Sequence, residues 1–167
     1  MIRSLFIAGV PCTGKTWLGR WLAEHEGFIH VDAEKDNGSD LDKTGIHNEW
    51  GLALKSGRAD ALAEKIQGLM KPVVLNWGFP ISYLYFVRTL QVAGIDTWWI
   101  HAKRNLARDA FSKRGGIDLR FFDRQMDEIE RHWLLLELVF DHRTIQGFDD
   151  EGKQRQPEDL WQEIRSR

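Results

Sequence analysis

Gly9-Val10-Pro11-Cys12-Thr13-Gly14-Lys15-Thr16 is the stretch on which the reading of this chain turns. Its pattern is a glycine, four residues, then Gly-Lys-Thr, and each part has a physical reason. The glycines let the backbone curl so that successive N–H groups point inward at phosphate oxygens. Lys15 supplies a mobile positive charge for the outer phosphates, and the Thr16 hydroxyl suits a ligand of Mg²⁺. The flanks agree with this. Ser4-Leu5-Phe6-Ile7-Ala8 reads as a buried strand entering the loop, and Thr16 to His25 as a helix with Trp17, Leu18, Trp21 and Leu22 on one face. Strand, glycine loop and helix in that order set the loop at a helix N-terminus, where the macrodipole favours anions.

Beyond the loop the chain alternates. Phe28 to Val31 is a short strand ending at Asp32, and the polar stretch 33–43 is a loop. Ile46, Trp50 and Leu54 predict a short helix closed by Gly57, and a second helix runs from about Ala59 to Met70 before Pro72. Val73 to Asn76 is a third strand, followed by a helix carrying Leu84, Val87 and Leu90. Thr97 to Ala102 is a fourth strand, followed by a helix from about Asn105 to Arg114. Phe122, Met126, Ile129, Trp133, Leu136 and Phe140 predict one long amphipathic helix. Thr144 to Gln146 is a weak last strand, and Glu158 to Ser166 a final helix with Pro157 at its first turn. Strands alternating with helices imply an α/β protein with a parallel sheet covered on both faces. Ligands of such sheets bind beyond the carboxyl ends of the strands, which here are the loop at 9–16, Asp32 and Glu34, Asn76 to Pro80, and Ala102 to Arg104.

The 167 residues, 43% of them hydrophobic, suffice for one domain with a real core. A net charge of −2 gives no basic field that would draw the chain to nucleic acid or an anionic membrane. No apolar run approaches the ~20 residues of a membrane span, and a strand starting at Ser4 leaves no room for a signal peptide. The single cysteine, Cys12, leaves no internal disulfide and fits a cytoplasmic setting. The six histidines show no metal-ligand spacing, so a divalent ion is expected to arrive with nucleotide. Of the eight tryptophans, Trp17, Trp21, Trp133 and Trp161 fall on helical apolar stripes and are expected to pack inward. Trp50 and Trp77 have two readings, core packing or contact with a ligand.

With the strand ends aligned, the chain resembles over its full length the small P-loop kinases of metabolites and nucleotides, such as adenylate, shikimate and gluconate kinases. The loop at 9–16 carries the resemblance. Gly78-Phe79-Pro80 looks like the Gly-Phe-Pro of adenylate kinases, Asp32 with Glu34 like the acidic pair of shikimate-type kinases, and Arg114-Gly115-Gly116 like the start of a mobile lid. The resemblance implies a three-layer α/β/α P-loop NTPase fold: a five-stranded parallel sheet in the order 2-3-1-4-5 with a short helical lid. It also implies a single domain over 1–167, with an acceptor-binding insertion at about 33–71 and the lid at about 112–125. ATP with Mg²⁺ is the implied donor, and the partner an unidentified small-molecule acceptor.

Two departures bear on the chemistry. Cys12 stands where glycine is frequent, which ordinary backbone angles would accommodate. Asn76 stands where many P-loop proteins carry aspartate, so the third strand brings no negative charge to the metal. Asp32 is then the candidate to hold Mg²⁺ with Thr16 or to take the proton of an acceptor hydroxyl, its alternative being a turn residue. Converging arginines are what phosphoryl transfer requires. Among the cations at 103–124, Arg114 is the catalytic candidate beside Lys15, and Arg108 a cofactor-binding one. Glu34, Trp50, Arg58, Asn76, Trp77 and Phe79 are the substrate candidates, while Asp36 reads as solvated. The expected function is transfer of the γ-phosphoryl of MgATP to a small molecule. A nucleotide-hydrolysing module without an acceptor stays open, as does a polynucleotide 5′-kinase, against which the acidic balance weighs.

Overall fold

The structure, a computed structural model, describes residues 3–34, 40–78, 81–116 and 118–167. Phe79, Pro80 and Asp36 therefore lie outside the described residues. Five strands, β1 (Leu5–Gly9), β2 (Ile29–Asp32), β3 (Val73–Asn76), β4 (Asp96–His101) and β5 (Thr144–Gln146), form one parallel sheet. Their order is β2-β3-β1-β4-β5, as the resemblance implied. The loop-bearing strand is thus central, with β3 on one side and β4 on the other.

Because side chains alternate along a strand, each strand feeds two cores. Leu5 and Ile7 of β1 join Val74, Trp98, Ile100 and Ile145 beneath α1 (Lys15–His25) and α9 (Pro157–Ser166). Phe6 and Ala8 join Leu75 and Trp99 beneath the opposite layer. That layer holds α3 (His47–Ser56), α4 (Asp60–Gly68), α5 (Leu84–Val92), α7 (Leu119–Arg131) and α8 (Trp133–Val139). The short α2 (Asp40–Lys43) adds Leu41, and α6 (Arg104–Arg114) adds Ala107 and Phe111. Among the described residues no helix is long and apolar enough to cross a membrane.

Two elements differ from the sequence expectation. In α1 the buried face is Lys15, Leu18, Gly19 and Leu22, so the helix is rolled away from the predicted stripe. Leu18 and Leu22 anchor it, each burial worth about 2 kcal/mol. Trp17 is 42% exposed, and Trp21 stacks on His25 at 4.8 Å. The helix is set by its entry: Lys15 must turn inward to the loop, and that fixes which residues follow it in. The predicted long helix at 122–140 breaks at His132, whose backbone leaves helical angles (φ −108°, ψ 16°). Its ring Nδ1 lies 2.9 Å from the Glu128 carbonyl, satisfying an end-of-helix acceptor, and α8 starts anew.

Candidate active site

The loop leaves β1 at Gly9, which lies so close to β4 that a Cβ there would overlap the Ile100 carbonyl. Val10 N–H donates to that same carbonyl at 3.0 Å, pinning the start of the loop to β4. The Thr13 hydroxyl is turned inward and donates to Val10 O at 2.8 Å, so Thr13 holds the loop's shape. Pro11 and Cys12 are partly exposed at the crest. Cys12 has φ 60°, left-handed, so the ordinary angles that would accommodate a cysteine there are not the ones it adopts; a side chain in that region costs about 1–2 kcal/mol. Gly14, also at positive φ, caps α1. Among the described residues the backbone N–H groups of Cys12, Thr13 and Gly14 meet no acceptor, a row of donors at a helix N-terminus that suits phosphate oxygens.

Lys15 is 8% exposed, and its Nζ donates to Gly9 O at 3.1 Å and Val10 O at 2.9 Å. Burial pushes its pKa down; Glu34 and Asp32 pull it back up, and Arg114 adds to the lowering. Both acidic candidates after β2 and the arginine ending α6 therefore stand within electrostatic reach of the loop lysine.

Asp32 and Asn76 are paired neighbours in the β2–β3 register, both buried, at 5% and 1% exposure. Asp32 Oδ1 accepts the Glu34 N–H at 3.1 Å, and its own N–H donates to Asp40 Oδ2 at 3.2 Å. The turn reading is thus met by one oxygen of the carboxylate, and the second oxygen is not needed for the turn. Glu34 reaches across to β3, where its Oε1 accepts the Gly78 N–H. The Asn76 amide has two directions fixed. Its Nδ2 donates to Thr16 Oγ1 at 3.4 Å, and its Oδ1 accepts from His30 Nε2. An amide oxygen cannot donate, so His30 carries its proton on Nε2. Burial pushes the His30 pKa down, against the pull of Asn76 and Asp32. Gly19 of α1 makes this pair possible, since a Cβ there would overlap the His30 ring and crowd Asn76 Oδ1. Sequence reading missed His30. The only signal was its place two residues before Asp32, hence on the same face of β2.

The other candidates divide. Trp77 is half-buried beside the site, edge-on to Trp50 at 5.5 Å and to Tyr83 at 5.6 Å. Trp50 is 5% exposed, hemmed by Phe6, Trp77 and Phe86, and so takes the core-packing reading. Arg58 makes its contact away from the loop, with Asp60. It follows Gly57, whose carbonyl accepts from Thr89 more than a turn down α5 from the strand ends, and its guanidinium lies 3.3 Å from Asp60 Oδ2. Arg108 donates to both oxygens of Asp123, at 3.1 and 3.2 Å, which raises its pKa and ties α6 to α7. Arg104 joins the same tie through Asp123, Asp127 and Glu130.

A glycine loop at the centre of a parallel 2-3-1-4-5 sheet with helices on both faces is the fold of the small P-loop kinases. Solved structures agree. A shikimate kinase from Acinetobacter baumannii, in complex with shikimate, superposes with a TM-score of 0.58 at 17% identity, covering 99% of this chain and 92% of that one. A sugar kinase from Janibacter sp. HTCC2649 gives 0.56 at 14% identity over 99% and 94%. A gluconokinase from Sinorhizobium meliloti 1021 gives 0.53 at 17% identity over 98% and 87%. These likenesses are of fold. No protein-family model matches the chain, and no curated protein matches it in sequence.

Proposed function

We propose that this protein is an ATP-dependent phosphotransferase that moves the γ-phosphoryl of MgATP to a small-molecule acceptor. The observation that carries the reading is the buried Lys15 in the glycine loop, with the buried Asp32 at the end of β2 paired with Asn76, whose amide reaches Thr16; Glu34 and Arg114 lie within electrostatic reach of Lys15. In this reading the N–H groups of Cys12 to Gly14 seat the phosphates and Lys15 neutralises the outer ones. Thr16, and Asp32 through water, would hold Mg²⁺, which would supply positive charge to neutralise the phosphates. The acceptor hydroxyl approaches over the ends of β2 and β3, beside Asp32, Glu34, Asn76 and Trp77. Asp32 takes its proton, the oxygen attacks the γ-phosphorus, and ADP leaves. Arg114 stabilises charge spread over the transferring group. The half-buried ring of Trp77 suits a planar or apolar portion of the acceptor.

A second reading, nucleotide hydrolysis coupled to a conformational output, is favoured by one observation. Asn76 gives the end of β3 an amide bonded to His30 where a carboxylate would otherwise meet the metal. ATP consumption in the presence of Mg²⁺, with and without a pooled extract of small metabolites, separates the two. Strong stimulation by the extract, with the phosphorylated product identified by mass, supports transfer. A steady rate indifferent to the extract supports the hydrolytic module.

A further inference from the structure

Trp17 stands apart from the other tryptophans. Trp50, Trp98, Trp99 and Trp161 are buried, and Trp21, Trp77 and Trp133 are partly so, while Trp17 is exposed. A single exposed aromatic is ordinary in itself; its place is what distinguishes this one. Trp17 directly follows Thr16 in the first turn of α1. A Cβ built on Gly14 would stand 3.9 Å from Trp17 Cε3 and 3.0 Å from Gln154 Nε2, so ring and amide flank the same edge of the loop. Gln154, from the segment between β5 and α9, also donates Nε2 to the Cys12 carbonyl at 3.4 Å.

The sheet order says which edge this is. Asp32, Glu34, Asn76 and Trp77 belong to the ends of β2 and β3, on one side of β1, whereas Gln154 arrives from β5 on the other. A triphosphate lying in the loop with its γ end towards Asp32 directs its nucleoside end to the β5 side. There it meets Trp17.

We infer that Trp17 is the platform on which the base of the nucleoside triphosphate stacks, with the Gln154 amide at the polar edge of that base. The inference rests on the loop being a nucleotide site, as proposed above. Every nucleobase has a π-face, and an indole offers the largest partner surface for it among the side chains. Gln154 Nε2 is turned to Cys12, which leaves Oε1 as an acceptor suited to an exocyclic amine such as that of adenine. Trp17 thus adds affinity for the base alone, while the phosphates are held by residues 9–16.

Calorimetric titration of wild type and variants with MgATP and with magnesium tripolyphosphate tests this, because tripolyphosphate presents the loop with phosphates and no base. Wild type should bind ATP more tightly than tripolyphosphate. Trp17→Ala should weaken ATP about tenfold or more, the scale of one base–aromatic stack. Its tripolyphosphate affinity should stay within about twofold, as for an ordinary surface substitution. Trp17→Phe should keep most of the preference for ATP. Unchanged ATP affinity in Trp17→Ala overturns the stacking role and leaves the loop assignment standing. Equal losses for both ligands give Trp17 a part in loop structure only, and also overturn it. A wild-type protein that binds neither ligand removes the nucleotide reading of the loop and this inference with it.

Discussion

Substituting Lys15 by alanine removes a charge from the phosphate site and two hydrogen bonds to the carbonyls of Gly9 and Val10. The bonds are worth about 1 kcal/mol each, so the variant should melt only slightly earlier. Its phosphoryl transfer should fall about a hundredfold or more, the scale of losing a positioned charge; ordinary turnover would remove the phosphate-loop assignment. Asp32→Asn separates the two roles of that side chain, because the amide oxygen of asparagine can still accept the Glu34 N–H. A turn-only residue would therefore leave single-turnover rates unchanged, whereas a base or metal anchor should lose roughly a hundredfold while ATP affinity moves much less. Cys12, at the crest of the loop, should be protected from alkylation by MgATP, and equal modification rates with and without nucleotide would place the phosphates elsewhere. The loop and Asp32 were legible because their residue types are tied to backbone geometry and strand ends. The left-handed angle of Cys12 was not, nor were the ion pairs of Arg58 and Arg108, because a charge read alone does not reveal Asp60 or Asp123.

Among the elements, α1 carries a constraint that helix propensity alone would reverse. Alanine in a helix interior normally gains about 1 kcal/mol over glycine. At Gly19 the added Cβ would push into the His30 ring and Asn76, so Gly19→Ala should instead destabilise by about 1–3 kcal/mol, the range for overpacking. A denaturant midpoint at or above that of wild type would show that the strands yield freely there. The roll of α1 escaped sequence reading for the same reason. Tryptophan outranks glycine and lysine as an inward residue, yet the loop dictates that Lys15 and Gly19 face in. The break at His132 left no trace in the apolar spacing, which runs on from Ile129 to Leu136 regardless of how the backbone between them is capped.

At the scale of the whole molecule, the alternation of strands and helices made the parallel sheet legible, whereas the strand order came from resemblance. Tertiary burial sets a property that no local pattern announces. Desolvation holds the pKa values of both His30 and His101 below the ordinary value of 6.5. As pH falls below about 6.5 the unfolded chain takes up protons that the folded chain refuses, so stability should decline through that window towards the folded values and stay level above about 7.5. Thermal melts between pH 8 and pH 5 check this, with a shallower slope expected for His30→Asn. A slope of wild-type steepness in that variant would assign the effect to other groups. One last feature acts on the molecule as a unit. Because the chain has a single thiol and it lies in the loop at 9–16, the fraction of thiol that MgATP shields from a chromogenic reagent should, on the proposed function, equal the fraction of chains able to hold nucleotide. On that proposal the protein would carry its own active-site titrant, and any preparation could be standardised per competent molecule before its acceptor is known.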